Sequence, residues 1–251
     1  MSQEHEFNVD PIASKLKTGE RPDSGGLVLV SGWGWGLDAS TGYDDFAADL
    51  AGLDADSLHV YDARYLHCTV ATLSSFKNDR SVFFHSSPAD RDRVVQAWHC
   101  ALEGAFARME APRPFQLVFR SLETSPAAAF LEADDESNTI EALRQAVGEA
   151  AKDRLLCELS TELENKHRDV PDLCSLKEAV HIPDIIHSTV MRLASEPSDA
   201  GLLSDGLAGL RARWKPATVK VGELSLVHEK HPYMHLNRTE GEVRRYTLPF
   251  G

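Results

Sequence analysis

The stretch that decides the fold occurs twice in the chain, as LHCTVATL at residues 66–73 and as IHSTVMRL at residues 186–193. Histidine, threonine, valine and the final leucine recur in register. A single His-x-Thr triplet is weak, because a chain with this composition contains one by chance in about every second case. Two copies with matching apolar neighbours indicate two related parts of one fold.

Both copies are predicted to be β-strands, in which side chains two residues apart project from the same face. His67 and Thr69 therefore share a face of the first strand. His187 and Thr189 share a face of the second. If the strands face each other across a groove, two imidazoles can act as general base and general acid while two hydroxyls donate to a bound anion. This arrangement suits displacement at phosphorus without a metal. For either copy alone, an ordinary half-buried strand histidine is the simpler interpretation.

Outward from the two motifs, the apolar pattern predicts alternating strands and helices, which favours an α+β or α/β sheet architecture. A hydroxyl cap at Ser87 followed by Pro88 predicts the start of the clearest helix, and Ser137 or Asn138 caps a second one with an apolar stripe from Ile140 to Leu155. Shorter helices are predicted around 43–53 and 202–210. Strands are predicted at 26–30, 58–61, 65–73, 115–122, 127–131, 185–193, 219–227 and 244–248.

The chain has 251 residues, 42% of them apolar and 26% charged, as is usual for a globular protein. Residues 1–23 contain few large hydrophobic side chains among charges, proline, serine and glycine, and are predicted to be a mobile N-terminal arm. Residues 24–251 are predicted to form the folded domain.

Charge and cysteine usage restrict the partners. The 26 Lys+Arg and 39 Asp+Glu leave a net charge of −13, which repels polyanions and anionic membranes. We therefore expect a small nucleotide or a short RNA terminus as partner, not a long duplex or a membrane. No apolar run approaches the roughly 20 residues of a membrane span. The 4 cysteines form no CxxC pair and no signal sequence is visible, so a cytoplasmic monomer is expected.

With HCTV at residues 67–70 and HSTV at residues 187–190, the chain resembles the two-histidine (2H) phosphoesterase superfamily, which includes cyclic phosphodiesterases and the bacterial RNA 2′,5′-ligase-like proteins. The resemblance implies two pseudo-symmetric α/β lobes, each with an antiparallel-rich sheet, flanking a central cleft. It also implies a metal-independent phosphoesterase, without a cofactor, that acts on a 2′,3′-cyclic phosphate, a 2′,5′-linkage or a related nucleotide ester. The implied catalytic residues are His67, Thr69, His187 and Thr189.

Arg192 is the candidate substrate-binding residue. It lies five residues after His187, where relatives often carry an arginine or an aromatic residue that reaches the ligand. Strict alternation places it on the face opposite His187, whereas a bulge near the strand end would bring it to the same face. An acidic chain also needs a local cation to hold a phosphate. The first copy has Thr72 at this position, so the lobes are not equivalent.

Two aromatic residues of an earlier loop, and two cations that follow the first motif, have ordinary interpretations as well as functional ones. Trp33 and Trp35 lie in a Gly-rich loop and could stack on a base, but a ring that fills the core under the loop is favoured. Lys77 and Arg80 follow the first motif and could add positive charge at the mouth of the cleft. A solvated loop is favoured for both.

Three histidines near the C-terminus, His228, His231 and His235, invite a zinc site, although Pro232 makes a convergent geometry doubtful. We expect no metal there. Cys68 points away from His67 and is interpreted as a small core residue. Two rivals to the phosphoesterase remain open. One is a non-catalytic module that binds nucleotides or RNA ends, and the other is a metalloenzyme built on these histidines.

Overall fold

The fold is that of a computed structural model, in which residues 7–22, 25–34, 42–109, 114–236 and 238–248 are described. Its strands are β1 (Gly26–Ser31), β2 (Leu58–Val60), β3 (Cys68–Ser74), β4 (Phe115–Ser125), β5 (Ala128–Asp134), β6 (Ile186–Leu193), β7 (Ala217–Val221), β8 (Glu223–Glu229) and β9 (Glu242–Thr247). Its helices are α1 (Pro11–Lys17), α2 (Tyr43–Ala51), α3 (Val82–His85), α4 (Pro88–Phe106), α5 (Thr139–Ala150), α6 (Arg154–Lys166), α7 (Ala200–Arg213) and α8 (Arg238–Gly241).

The strands form two antiparallel sheets, which confirms the predicted α+β class. One sheet has the order β3-β1-β8-β9 and the other has the order β2-β6-β5-β4-β7. The first motif leads into β3 and the second lies in β6, so each sheet carries one motif. Among the described residues, no helix is long and apolar enough to cross a membrane.

One hydrophobic core joins the two sheets to the helices. Helix α4 packs against α5 and α6, and α5 also lies against β3. The start of α4 is as predicted, because the Ser87 hydroxyl accepts a hydrogen bond from the Asp90 amide at 3.2 Å. Among the largest fully buried side chains are Trp98 of α4 and Phe119 of β4. Apolar packing of the helices therefore fixes the position of β3, the strand that follows the first motif.

The second long helix differs from the prediction, because it is interrupted after α5. The carboxylate of Asp153 accepts hydrogen bonds from the amides of Leu155 and Leu156 at 2.9 and 3.3 Å, which caps a new helix, α6. A single apolar stripe from Ile140 to Leu155 does not describe two helices that meet at a cap. The predicted strand at 219–227 is likewise divided between β7 and β8, which lie in different sheets.

The prediction of a mobile arm over residues 1–23 is wrong for residues 7–22, which pack on the domain. Asp10 is 8% exposed and its carboxylate accepts hydrogen bonds from the amides of Ile12 and Ala13, so it caps α1. The Asp10 amide donates to the Leu193 carbonyl at 2.8 Å. Ala13 and Leu16 are buried. A short polar segment can be ordered by backbone hydrogen bonds and helix capping, and a low content of hydrophobic residues does not reveal these contacts. Residues 1–6 and 23 lie outside the described part.

Candidate functional site

The two His-x-Thr motifs line one cavity between the sheets, with a volume of about 180 Å³. The second sheet contributes residues of β6, and the first contributes residues of β1, β3 and β8. The residues that line the cavity are Val28, Tyr61, His67, Thr69, Thr72, Ser75, Phe76, His187, Thr189, Arg192, Glu229, Tyr233 and Met234. All five sequence-predicted site residues are therefore brought together.

A bulge at the same point of each motif strand determines which side chains reach this cavity. In the pairing of β1 with β3, Leu29 is opposite Ala71 and Val30 is opposite Thr69, so Val70 is the extra residue. In the pairing of β5 with β6, the register skips Val190 in the same way. A bulge reverses the alternation of faces beyond it.

As a result, Arg192 lines the cavity with His187 and Thr189, on the face that strict alternation denies it. Thr72 reaches the cavity in the first lobe for the same reason. The first motif also departs slightly from the prediction. His67 lies just before β3, not within it, and follows a short 3₁₀ turn over Ala63–Tyr65.

Each motif histidine is oriented by the backbone two residues before it. The Nδ1–H of His67 donates to the Tyr65 carbonyl at 2.9 Å. The ring of His187 makes the equivalent contact with the backbone of Ile185, and it lies edge-on to the ring of Phe130 at 5.3 Å between centroids. A donating Nδ1 leaves Nε2 of the neutral His67 ring as an acceptor. The geometry suits His67 for taking a proton from a group in the cavity.

Burial disfavours the charged form of both imidazoles in the free protein. The pKa of His67 is lowered to about 4, mainly by burial; the hydrogen bond to the Tyr65 carbonyl acts to raise it, and His187 and Arg192 act to lower it. Burial is also the main cause of the lowered pKa of His187. An anion in the cavity favours the charged form of either ring and would restore the ability to hold a proton.

Arg192 is immobilised by three groups. Its Nε donates to the Tyr61 hydroxyl at 3.2 Å, and its Nη1 lies 3.4 Å from Oδ2 of Asp10. Its guanidinium carbon lies 3.7 Å from the centroid of the Tyr233 ring. Burial acts to lower the pKa of Arg192, but the neighbouring Tyr61, Tyr233 and Asp10 raise it overall. The guanidinium is thus a fixed, permanent positive charge in the wall of the cavity.

A strained turn presents Tyr233 to this arginine. Tyr233 and the following Met234 both have left-handed backbone conformations, with φ values of 57° and 59°. Two consecutive non-glycine residues in this region are unfavourable unless surrounding contacts hold them. The Met234 amide donates to Oε1 of Glu229 at 2.9 Å, and the Tyr233 hydroxyl donates to Asp10.

Glu229 is a buried carboxyl group in the cavity wall, 5% exposed. It is paired across the strands with Gly26, where a Cβ atom would lie only 2.6 Å from Oε2 of Glu229. The glycine thus leaves the space that the carboxyl group occupies. Burial raises the pKa of Glu229 to about 7, against the lowering influence of the Met234 and Tyr233 amides and of Arg192 and Lys77. Glu229 therefore changes charge close to neutral pH.

Arg144 of α5 links the two motif strands behind the cavity. It is 7% exposed, and its Nη2 donates to the Ile185 carbonyl at 2.9 Å. Its Nε donates to the carbonyl of Val70, the bulged residue of β3, at 3.4 Å. Strand β3 is also joined to the segment before β6, where Thr72 and His181 exchange backbone hydrogen bonds of 2.9 and 2.8 Å. These contacts fix the separation of the two histidines.

Other residues singled out in the sequence have structural positions. Trp33 is 1% exposed and packs with Val28, Val30, Val227, Met234 and Leu236, so the core interpretation is confirmed, while Trp35 lies outside the described residues. Lys77 and Arg80 are both exposed, and the Lys77 ammonium lies 4.8 Å from the centroid of the Tyr233 ring, close to the site. Cys68 is buried, and burial raises the pKa of its thiol.

The three C-terminal histidines do not converge. His231 contacts the Pro22 carbonyl, and His228 lies against the ring of Phe83. His235 pairs instead with His59, with 2.8 Å between their Nε2 atoms. Among the described residues, no three His, Cys, Asp or Glu side chains are placed to hold a metal ion.

Sequence reasoning missed Asp10, Tyr61, Tyr233 and Glu229 as residues in or beside the cavity. Two sequence features of the segment that contains Glu229 and Tyr233 could have pointed to the cavity. One is its three histidines, and the other is its high density of polar and aromatic residues. For Asp10 the available signal is Asp-Pro, a helix start that lies within the predicted mobile arm.

No family model matches the chain, and no curated protein sequence matches it. Solved structures of similar shape include TT0787 of Thermus thermophilus, with a TM-score of 0.48 and 14% identity over 90% of this chain and 98% of that one. The conserved protein of unknown function ATU0111 from Agrobacterium tumefaciens has a TM-score of 0.48 and 13% identity over 92% of this chain and 88% of that one. Likenesses of this size carry no functional conclusion.

Proposed function

We propose that the cavity is the active site of a metal-independent phosphoesterase of the two-histidine type, acting on a 2′,3′-cyclic phosphate or a related nucleotide or RNA-end phosphodiester. The observation that carries the proposal is that both His-x-Thr pairs and Arg192 line one cavity. Two proton-transfer groups, two neutral donors and one fixed cation match the needs of displacement at a phosphodiester.

In this mechanism one imidazole takes a proton from the attacking water while the other, protonated, gives its proton to the departing ribose oxygen. The bond from the water oxygen to phosphorus forms as the bond from phosphorus to the ribose oxygen breaks. Thr69 and Thr189 donate to non-bridging phosphate oxygens, and Arg192 offsets the charge that they carry. Burial lowers the pKa of both rings, and the negative charge of the bound substrate raises the pKa of the ring that acts as acid.

The substrate is small under this proposal. The net charge of −13 opposes a long polyanion. None of the 4 cysteines is paired, in keeping with a proposed site of action in a reducing cytoplasm.

A non-catalytic module that binds nucleotides or RNA ends is the alternative. Burial favours this alternative, because it lowers the pKa of both imidazoles and so disfavours the protonated ring that the acid step requires. Such a module would hold a cyclic phosphate without opening it.

Turnover separates the two functions. The experiment is to incubate the full chain with a panel of 2′,3′-cyclic nucleotides, 2′,5′-linked dinucleotides and 3′,5′-linked dinucleotides and to identify the products by chromatography. Opening of at least one cyclic or 2′,5′-linked substrate is expected. Binding of these ligands without product, at enzyme concentrations near that of the ligand, would favour the binding module.

A further inference from the structure

The N-terminal segment places a carboxylate on the arginine of the cavity. The two oxygens of Asp10 have separate tasks. Oδ1 accepts from the amides of Ile12 and Ala13 at 2.9 and 3.3 Å and caps α1. Oδ2 accepts from the Tyr233 hydroxyl and lies 3.4 Å from Nη1 of Arg192. The carboxylate that starts the helix therefore also neutralises part of the charge at the cavity.

Backbone contacts fix this segment to the second sheet. The Asn8 amide donates to the Pro126 carbonyl at 2.9 Å, beside the turn between β4 and β5. The Asp10 amide donates to the carbonyl of Leu193, the residue after Arg192, at 2.8 Å. The hydroxyl of Ser14 donates to the Ala194 carbonyl. Asp10 and Arg192 are thus held on adjacent backbone and cannot separate without loss of these bonds.

Four charged groups influence one another at this end of the cavity. Arg192 and Lys77 are cationic, and Asp10 and Glu229 are acidic, and the charges of the other three all act on Lys77. Burial acts to raise the pKa of Asp10, but its bonds from Tyr233, Ala13 and Ile12, together with Arg192, lower it overall, so Asp10 is ionised. Because Glu229 loses its proton near neutral pH, the net charge of these four groups lies between 0 and +1.

We propose that Asp10 is a positioning residue for Arg192 whose charge makes the cavity prefer a monoanionic phosphodiester to a dianionic phosphomonoester. This inference rests on the proposed function and extends it to the choice between substrate and product. A phosphodiester carries one negative charge, whereas a phosphomonoester carries nearly two above a pH of about 6. These four groups together offer at most one net positive charge to a ligand, which favours the singly charged diester over the doubly charged monoester that hydrolysis produces.

The test compares binding of two small probes that need no turnover, dimethyl phosphate and methyl phosphate, at pH 8. At this pH the first is a monoanion and the second a dianion. Dissociation constants are measured on the full chain by NMR, from the side-chain resonances of His67 and His187. The variant is Asp10→Asn, which keeps a capping side chain and removes the charge. Asp10→Ser, also a capping residue, is the second variant.

The matched control is Asp153→Asn. Asp153 also caps a helix through two amides, those of Leu155 and Leu156, and it does not line the cavity. The control therefore removes the same charge and keeps the same kind of cap at another place. Asp10→Glu restores the charge and tests rescue.

In Asp10→Asn and Asp10→Ser we expect methyl phosphate to bind more tightly relative to dimethyl phosphate, by roughly fivefold or more, because one added positive charge attracts a dianion more than a monoanion. Asp153→Asn and Asp10→Glu are expected to keep the wild-type ratio. A purely structural role would weaken both probes together and leave the ratio unchanged, and this result would overturn the inference while the proposed function stood. If neither probe binds to the wild-type cavity, the cavity is not a phosphate site, and this result would contradict both the proposed function and the role of Asp10.

Discussion

Thr72 and Arg192 occupy equivalent positions in the two lobes, three residues beyond the motif threonine and two beyond a bulged valine, and both line the cavity. The internal repeat therefore includes the β-bulge at the valine as well as the side chains of the motif. The lobes differ in charge at this position, because Thr72 is a neutral hydroxyl and Arg192 is a permanent cation. The cavity is therefore asymmetric in charge although its two histidines are arranged alike.

The cation should matter for binding of the substrate more than for the chemical step. For Arg192→Gln we expect the KM for a 2′,3′-cyclic nucleotide to rise roughly 10- to 150-fold, the range that corresponds to loss of one charge-assisted hydrogen bond. Steady-state kinetics and a melting temperature measure the effect. Arg211→Gln, which removes an exposed arginine paired with Glu123, is the control and should leave KM unchanged. An unaltered KM in folded Arg192→Gln would remove Arg192 from the binding site.

Arg144 should affect turnover without touching the substrate. In Arg144→Met the buried carbonyl of Val70 loses this donor, at roughly 1–3 kcal/mol of folding free energy, and the carbonyl of Ile185 keeps only its contact with the His187 ring. Because the separation of the motif strands then relaxes, we expect kcat to fall by about tenfold or more with a smaller change in KM. Denaturant unfolding and kinetics measure both effects. Arg154→Met, at an exposed helical ion pair, is the control. Destabilisation with unchanged kcat would contradict the positioning role.

Glu229 should make substrate binding sensitive to pH. Its carboxyl group is uncharged below its pKa of about 7 and charged above it, so a negative charge enters the cavity as the pH rises from 6 to 8. We expect the KM for an anionic diester to increase over this interval in the wild-type protein and to vary less in Glu229→Gln. The diester itself does not titrate there. Glu123→Gln, outside the cavity, should keep the wild-type profile, and identical profiles for wild type and Glu229→Gln would refute this prediction.

Chelation should leave the activity intact. The cavity offers an acid, a base, anion donors and a cation from its own side chains, so no step of the proposed mechanism requires a Lewis acid. We expect the same kcat before and after extensive dialysis against EDTA, and no increase on addition of zinc or magnesium. Activity that is lost on chelation and restored by a divalent ion would support the metalloenzyme interpretation instead.

The residues of the motifs could be predicted from the sequence because period-two alternation is a local property of a strand. The sequence left open whether Arg192 lies on the same face of the strand as His187 or on the opposite face. The answer depends on whether Val190 forms a bulge opposite β5, which is a property of the strand pairing. Nothing in the sequence next to Arg192 reports that pairing.

Residues that join the site from a distance could not be predicted. Asp10 reaches Arg192 across 182 positions of the chain, and its own neighbourhood has the composition of a mobile arm. The consecutive left-handed residues Tyr233 and Met234 have no sequence signal either, because neither is glycine or asparagine. Their conformation follows from the carboxyl group of Glu229, which is itself placed by the strand pairing with Gly26.

The central claim is that His67 and His187 exchange protons with a substrate in one cavity, and the most direct test is turnover of a 2′,3′-cyclic nucleotide by His67→Ala and His187→Ala. Each proton-transfer group contributes typically about 10²–10⁴-fold, so each variant should lose at least roughly a hundredfold in kcat. Circular dichroism establishes that the variants are folded, and His85→Ala, which lies outside the cavity, should retain full activity. Near-normal turnover by both folded single variants would contradict the two-histidine mechanism.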